Sequence, residues 1–131
     1  IALCHINRKK QKIEFAGALR SLLIYRGEAY TKAHAPEHQG LLIEEIKADK
    51  YPIGGLQSEA KREFTNHIID YMHGDTVYLF TDGYADQFGG PKGKKFKYKP
   101  LEELLVNNYK LPMDEQKSIL NEKFEILFKL R

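Results

Sequence analysis

Hydrophobic positions fall into short runs over the first two thirds of the sequence and into wider stripes near its end. Short alternating or β-branched runs bounded by turn residues are typical of strands. Such runs predict strands at residues 1–6, 12–16, 22–25, 41–46 and 76–80. Because short polar turns separate the first three strands, we expect them to form an antiparallel meander.

Two segments between these strands are less regular. Residues 64–71 fit a helical period and, less well, an alternating one, so the residues alone leave this choice open. Residues 30–40 are polar and carry His34 and His38, a spacing that on a helix places both imidazoles on one face, as in metal sites. Pro36 lies between them, and we interpret the segment as a flexible loop. Ser58 could be the N-cap of a helix over 58–62.

Two amphipathic helices are predicted at the end of the sequence, over residues 100–109 and 113–131. Each has apolar residues on one side, namely Leu101, Leu104 and Leu105 in the first and Ile119, Leu120, Phe124, Leu127 and Phe128 in the second. We expect these stripes to face a core.

Composition narrows the function classes. The 131 residues suit one domain or part of one, and the net charge of +3 is too mild for a typical nucleic-acid binder. The lysine-rich run 92–99 is therefore interpreted as a solvated loop with anchoring aromatic residues. A single cysteine, Cys4, fits a reducing cytoplasmic compartment, and its apolar surroundings indicate a buried hydrophobe rather than a nucleophile. Neither an apolar run of about 18 residues nor a signal peptide is present, so we expect no membrane contact.

The stretch 74–90, GDTVYLFTDGYADQFGG, carries the candidate chemistry. Gly74 and Asp75 are turn residues. The predicted strand 76–80 then leads directly to Asp82 and Gly83. A carboxylate at a strand end suits a hard cation such as Mg²⁺ or Mn²⁺. An Asp-Gly pair after a strand is also a common plain turn, and the residues alone allow both interpretations.

The same stretch resembles the SpoIIE-like branch of the PPM, or type 2C, metal-dependent serine/threonine protein phosphatases. FAGA at 15–18, IKADKYPIG at 46–54 and GKKF at 93–96 follow the order of that family, and the resemblance extends to about residue 105. It implies an α+β fold, an antiparallel β-sandwich with flanking helices, in which 64–71 is a strand and the helices cover one face. It also implies one partial domain over 1–131, strand-rich over 1–82 and helical over 100–131. In the family, the loop that contains the PIG sequence at 52–54 lies near the rim of the active site.

For function, the resemblance implies hydrolysis of phosphoserine or phosphothreonine in a regulatory protein of bacterial signalling or sigma-factor control. It assigns Asp82 as a ligand in a two-metal Mn²⁺ or Mg²⁺ site, with Gly83 as the companion that permits the turn. Asp86 would orient water or a ligand, and Asp75 would form a turn. No residue is assigned as a catalytic nucleophile.

The sequence departs from the family at both ends, where the family has an upstream Asp-Gly pair and a later paired-Asp motif. One carboxylate cannot hold two cations, because each needs several oxygen ligands. We therefore expect these 131 residues to be inactive or nearly so, with sheet edges open to pairing, as in a homodimer. The alternative is a degenerate phosphatase-like module that binds a protein partner without catalysis.

Overall fold

The computed structural model describes residues 1–54, 62–89 and 93–129. It divides into two compact units, Ile1–Phe80 and Thr81–Arg131. The strands are β1 (Ala2–Asn7), β2 (Lys12–Gly17), β3 (Leu22–Arg26), β4 (Leu42–Ile46), β5 (His67–Asp70), β6 (Thr76–Tyr78), β7 (Phe88–Gly89) and β8 (Lys94–Lys95). The helices are α1 (Glu28–His34), α2 (Tyr98–Asn108) and α3 (Met113–Lys129).

The first unit contains two three-stranded antiparallel sheets, ordered β1-β2-β5 and β4-β3-β6. Four fully buried side chains form the core, and they come from both sheets: Ile13, Phe15, Leu22 and Ile24. The strand alternation explains this core, since Ile13 and Phe15 point inward while Glu14 between them is exposed. Together with the helices, this arrangement confirms the predicted α+β fold with an antiparallel sandwich.

The predicted meander is wrong, because β3 leaves the sheet of β1 and β2 and pairs with β4 and β6. The chain passes from one sheet to the other at Gly17. A Cβ atom on Gly17 would lie 2.4 Å from the carbonyl oxygen of Arg20 and 2.8 Å from the Cβ of Ala48. Leu19 follows with a φ of 62°, and Ala18 forms an isolated β-bridge with Asp49, which lies in the segment after β4. The chain therefore turns away before a third hairpin strand can form.

Three other predictions need correction. The segment 30–40 is not a loop throughout, because α1 extends to His34, whose ring stacks on Tyr30 at 4.4 Å. The strand predicted at 76–80 pairs only over Thr76–Tyr78. The lysine-rich run is not simply a loop either, since Lys94–Lys95 is a strand and α2 begins at Tyr98. The helix predicted from Ser58 lies outside the described residues.

The sequence left residues 64–71 undecided, and the strand that the resemblance favours is present as His67–Asp70. His67 and Ile69 face the core side of β2, where they pair with Phe15 and Ile13. Ile68 lies on the other face and is 62% exposed. Two strongly apolar residues on opposite faces account for the ambiguous pattern.

A buried polar cluster joins β3, β4 and the turn before β6. Arg26 donates to both oxygens of Glu44, at 2.9 and 3.0 Å, and to Oδ2 of Asp75 at 2.8 Å. Asp75 also accepts the backbone N–H groups of Gly27 and Met72, which confirms its predicted role in a turn. Burial alone would lower the pKa of Arg26, but the hydrogen bonds to Glu44 and Asp75 outweigh it and raise that pKa.

The second unit contains the β7–β8 ribbon and the two long helices. Leu101 and Leu105 of α2 are buried, which agrees with the predicted apolar stripe. The buried side chain of Gln116 donates to the carbonyl oxygens of Tyr109 and Leu111, and so closes the connection between α2 and α3. None of the described helices is long and apolar enough to cross a membrane. The predicted cover of a sheet face by these helices stays a prediction.

Candidate functional site

The candidate site is the turn over residues 82–86, DGYAD, at the start of the second unit. The backbone N–H of Asp86 donates to the carbonyl oxygen of Asp82 at 2.7 Å, and that of Gly83 donates to Oγ1 of Thr81 at 3.3 Å. These bonds wind the chain into one helical turn. Asp82 and Gly83 lie exposed at its beginning, so the structure places the predicted pair where a ligand could reach it.

Aromatic packing holds this turn from behind. The ring of Tyr84 meets that of Phe96 edge-on at 5.5 Å and that of Phe124 at 6.0 Å. Its hydroxyl donates to the carbonyl oxygen of Leu120 at 2.7 Å. Burial raises the pKa of Tyr84, which keeps the hydroxyl protonated and able to donate. The turn is therefore anchored to α3 by a neutral hydrogen bond and the ring contact with Phe124, and to the segment before α2 by the ring contact with Phe96.

Polar contacts fasten the turn to the β7–β8 ribbon. Gln87 donates from Nε2 to the carbonyl oxygen of Gly83 at 2.9 Å. The ammonium of Lys95 lies 3.2 Å from Oδ1 of Asp86, and both side chains are about half exposed. Asp86 is therefore a carboxylate already paired with a cation, whereas it was predicted to orient water or a ligand. Spacing alone could not reveal this partner, which lies nine residues further along the chain.

The other acidic residue singled out by the sequence is not in this turn. Asp75 belongs to the first unit, where its side chain is only 1% exposed and three donors occupy its oxygens. A carboxylate used in this way serves the fold. The aspartate of the IKADKYPIG segment, Asp49, is also committed, since it accepts the backbone N–H and the hydroxyl of Thr65.

The described side chains offer few ligands for a divalent metal centre. In the described ranges, no group of three or more His, Cys, Asp or Glu side chains is placed to hold a metal ion. Asp82 can supply one oxygen ligand, and Asp86 is engaged by Lys95. Because each cation needs several oxygen ligands, these residues fit one ligand position of a metal site and do not fit a complete two-metal centre. The predicted role of Asp82 and Gly83 in metal binding stays a prediction.

Comparisons with known proteins bear on the class of fold. No family model matches the sequence, and no curated protein matches it. Among solved structures, the chain is similar to the SiaA-PP2C domain of Pseudomonas aeruginosa, with a TM-score of 0.72 and 26% identity. The match covers 96% of this chain and 44% of that one, so the chain spans less than half the length of its neighbour.

This similarity identifies the architecture as a PP2C-like fold, of which the chain represents a part. It supports a phosphatase-like domain, as the resemblance of the 74–90 stretch predicts. The assignment to the SpoIIE-like branch stays a prediction.

Proposed function

We propose that this chain is part of a metal-dependent PP2C-like protein phosphatase domain and that Asp82 is one of its metal ligands. The observation that carries the proposal is the similarity to the SiaA-PP2C domain, which extends over 96% of the chain. The position of Asp82 supports it, because the carboxylate is exposed on a turn held by Tyr84 and the β7–β8 ribbon. An exposed carboxylate on a fixed turn is a preorganised oxygen ligand.

When bound, the divalent cations of such a domain activate water and stabilise negative charge on the phosphoryl group. In this chain, Asp82 would bind a cation and Gly83 would let the turn begin directly after it. Lys95 would keep the Asp86 carboxylate engaged in an ion pair. Each cation needs further oxygen ligands besides Asp82. We assign these ligands to the part of a PP2C domain that lies outside the 44% of the neighbour's chain that the match covers.

The substrate class we propose is phosphoserine or phosphothreonine in a regulatory protein, with Mn²⁺ or Mg²⁺ as cofactor. This proposal extends to a bacterial signalling role in the cytoplasm, including sigma-factor control. It rests on the resemblance of the 74–90 stretch to the SpoIIE-like branch. By itself the 131-residue chain should hydrolyse phosphopeptides weakly or not at all, because its described carboxylates supply too few ligands.

The test is release of phosphate from a phosphoserine peptide by the complete protein, with and without Mn²⁺. We expect hydrolysis only with the metal, and we expect Asp82→Asn to lower kcat/KM by about 100-fold, the order of effect of losing metal-based charge stabilisation. Asp114→Asn is the matched control, since Asp114 is an exposed aspartate in the first turn of α3. Full activity of the Asp82 variant would contradict the proposed ligand.

A second candidate function is a phosphatase-like module that binds a partner without hydrolysis. The lack of a metal-binding group among the described side chains favours it. In that case the complete protein would bind a phosphorylated partner equally well with Mn²⁺ or with EDTA, and would release no phosphate. Metal-dependent turnover would rule this candidate out.

A further inference from the structure

A run of basic side chains lies beside the candidate site. We call residues 94–99, KKFKYK, the lysine segment, and all four of its lysines are exposed. Lys95 pairs with Asp86, whereas Lys94, Lys97 and Lys99 form no ion pair with any carboxylate in the part of the chain that the structure describes. The segment contains no acidic residue. It therefore presents three exposed lysines that no carboxylate of the described residues pairs with, although Glu102 and Glu103 follow Lys99 in α2.

The lysine segment is fixed to the turn that carries Asp82. The backbone N–H of Lys97 donates to the carbonyl oxygen of Ala85 at 2.7 Å, and that of Phe96 donates to Gln87 at 2.8 Å. The ring of Phe96 packs on Tyr84, and the ammonium of Lys95 reaches Asp86. These contacts involve successive residues of the segment. The lysines are consequently held next to the turn by structure and not only by closeness in sequence.

The backbone at Lys97 supports a role for its side chain. Lys97 has φ 73° and ψ 166°, a conformation that glycine adopts readily and other residues rarely. It lies at the N-cap of α2, where its side chain makes no capping hydrogen bond. A lysine is thus held at a position where glycine would fit with less strain, and the residue is exposed.

We propose that the lysine segment binds an acidic stretch of the phosphorylated protein substrate and so brings the substrate to the turn that carries Asp82. This inference rests on the proposed function and adds the chemistry of the substrate. Charge complementarity identifies the occupant, because three lysines without a carboxylate partner attract a segment rich in Asp, Glu or phosphate. Attraction of this kind mainly speeds association and selects partners. A protein segment is favoured over nucleic acid because the chain as a whole carries only +3.

The test compares two fluorescent phosphoserine peptides that differ only in their flanks, which are Asp and Glu in one and Ser and Gln in the other. Binding to the complete protein is measured by anisotropy with EDTA present, so that the peptides stay phosphorylated. The variant is Lys94→Gln with Lys97→Gln. The control is Lys9→Gln with Lys10→Gln, which removes the same charge from the exposed β1–β2 turn.

For the wild-type protein we expect tighter binding of the acidic peptide and a preference that shrinks between 50 and 300 mM salt, as screening of exposed charges requires. The lysine-segment variant should lower that preference by about fivefold, while the control leaves it unchanged. If the double variant unfolds, Lys94→Gln alone should lower it by about twofold. An unchanged preference for the acidic peptide in the variant would overturn the inference. So would duplex DNA that binds the wild type more tightly than the acidic peptide does and no longer binds the variant.

Together with the phosphate-release assay described above, this binding experiment separates the two proposals. Loss of the acidic preference without any metal-dependent hydrolysis would support the binding surface and reject the phosphatase. Hydrolysis that requires Asp82, together with an unchanged preference, would keep the phosphatase and reject the binding surface.

Discussion

Replacing Asp75 with asparagine tests the buried cluster around Arg26. Both side chains are almost fully buried, at 1% and 2% exposure, and three donors surround the Asp75 carboxylate. Oδ1 accepts from Gly27, whereas Oδ2 accepts from Arg26 and Met72. An asparagine has the same shape but one acceptor oxygen. Its amide must therefore face at least one donor, whichever way it is turned.

The magnitude follows from these contacts. A hydrogen bond to a charged group contributes about 1.5–3 kcal/mol, and loss of one partner from a buried ion pair costs about 3–5 kcal/mol. Because Glu44 still faces Arg26 in the variant, we expect a value below the upper limit, about 2–4 kcal/mol. That is a large part of the roughly 5–15 kcal/mol by which domains are stable.

The assay is urea denaturation of the 131-residue chain, followed by far-ultraviolet circular dichroism. With an m value of about 2 kcal/mol per M, Asp75→Asn should lower the midpoint by about 1–2 M. Asp114→Asn makes the same chemical change at an exposed site and should change stability by less than about 0.5 kcal/mol. If both variants unfold at the wild-type midpoint, the carboxylate of Asp75 does not hold the β5–β6 turn as we describe.

Three further predictions concern other parts of the first unit. Gly17→Ala should destabilise the fold by about 2 kcal/mol in the same urea assay, because the new Cβ would lie 2.4 Å from the Arg20 carbonyl oxygen; a neutral effect would contradict the crowding. The hydrogen bond and charge of Lys12 lower the pKa of Asp70, so this pair should stabilise the fold above about pH 4 and lose its effect as the pH falls further. In a pH series, Lys12→Gln should therefore lower the free energy of unfolding relative to the wild type at pH 7 but leave it unchanged at pH 2. Burial raises the pKa of Cys4, so less of this thiol is ionised at pH 8. Iodoacetamide should therefore alkylate Cys4 more slowly than it alkylates the thiol of free glutathione, and equal rates for the two thiols would contradict this.

The sequence predicts local structure well where one physical signal dominates. Alternation at Ile13 and Phe15 predicts β2 and its inward face, and the apolar stripe at Leu101 and Leu105 predicts α2. It does not predict which sheet receives β3, because short turns favour the neighbouring strand and the contact of Gly17 with Ala48 joins residues far apart in the sequence. The resemblance of the sequence to a known family predicts the PP2C-like fold, whereas hydrophobic periodicity does not.

The site shows the same division. A carboxylate and a glycine after a strand are visible in the sequence, and the structure places Asp82 on an exposed turn. The partner of Asp86 is not visible, since Lys95 reaches it through pairing of β7 with β8. The Arg26 cluster joins residues 18 and 49 positions apart and leaves no local pattern. Contacts of this kind depend on the register of strands, which sequence spacing does not specify.

The most direct test of the central claim is calorimetric titration of the complete protein with Mn²⁺, for the wild type and for Asp82→Asn. Metal binding needs no knowledge of the physiological substrate, so it examines the proposed ligand alone. We predict saturable binding that Asp82→Asn weakens by at least about tenfold, since even partners outside the ligand shell commonly change metal affinity by that factor. Equal Mn²⁺ affinity in both proteins would contradict the assignment of Asp82 and, with it, the proposed metal site.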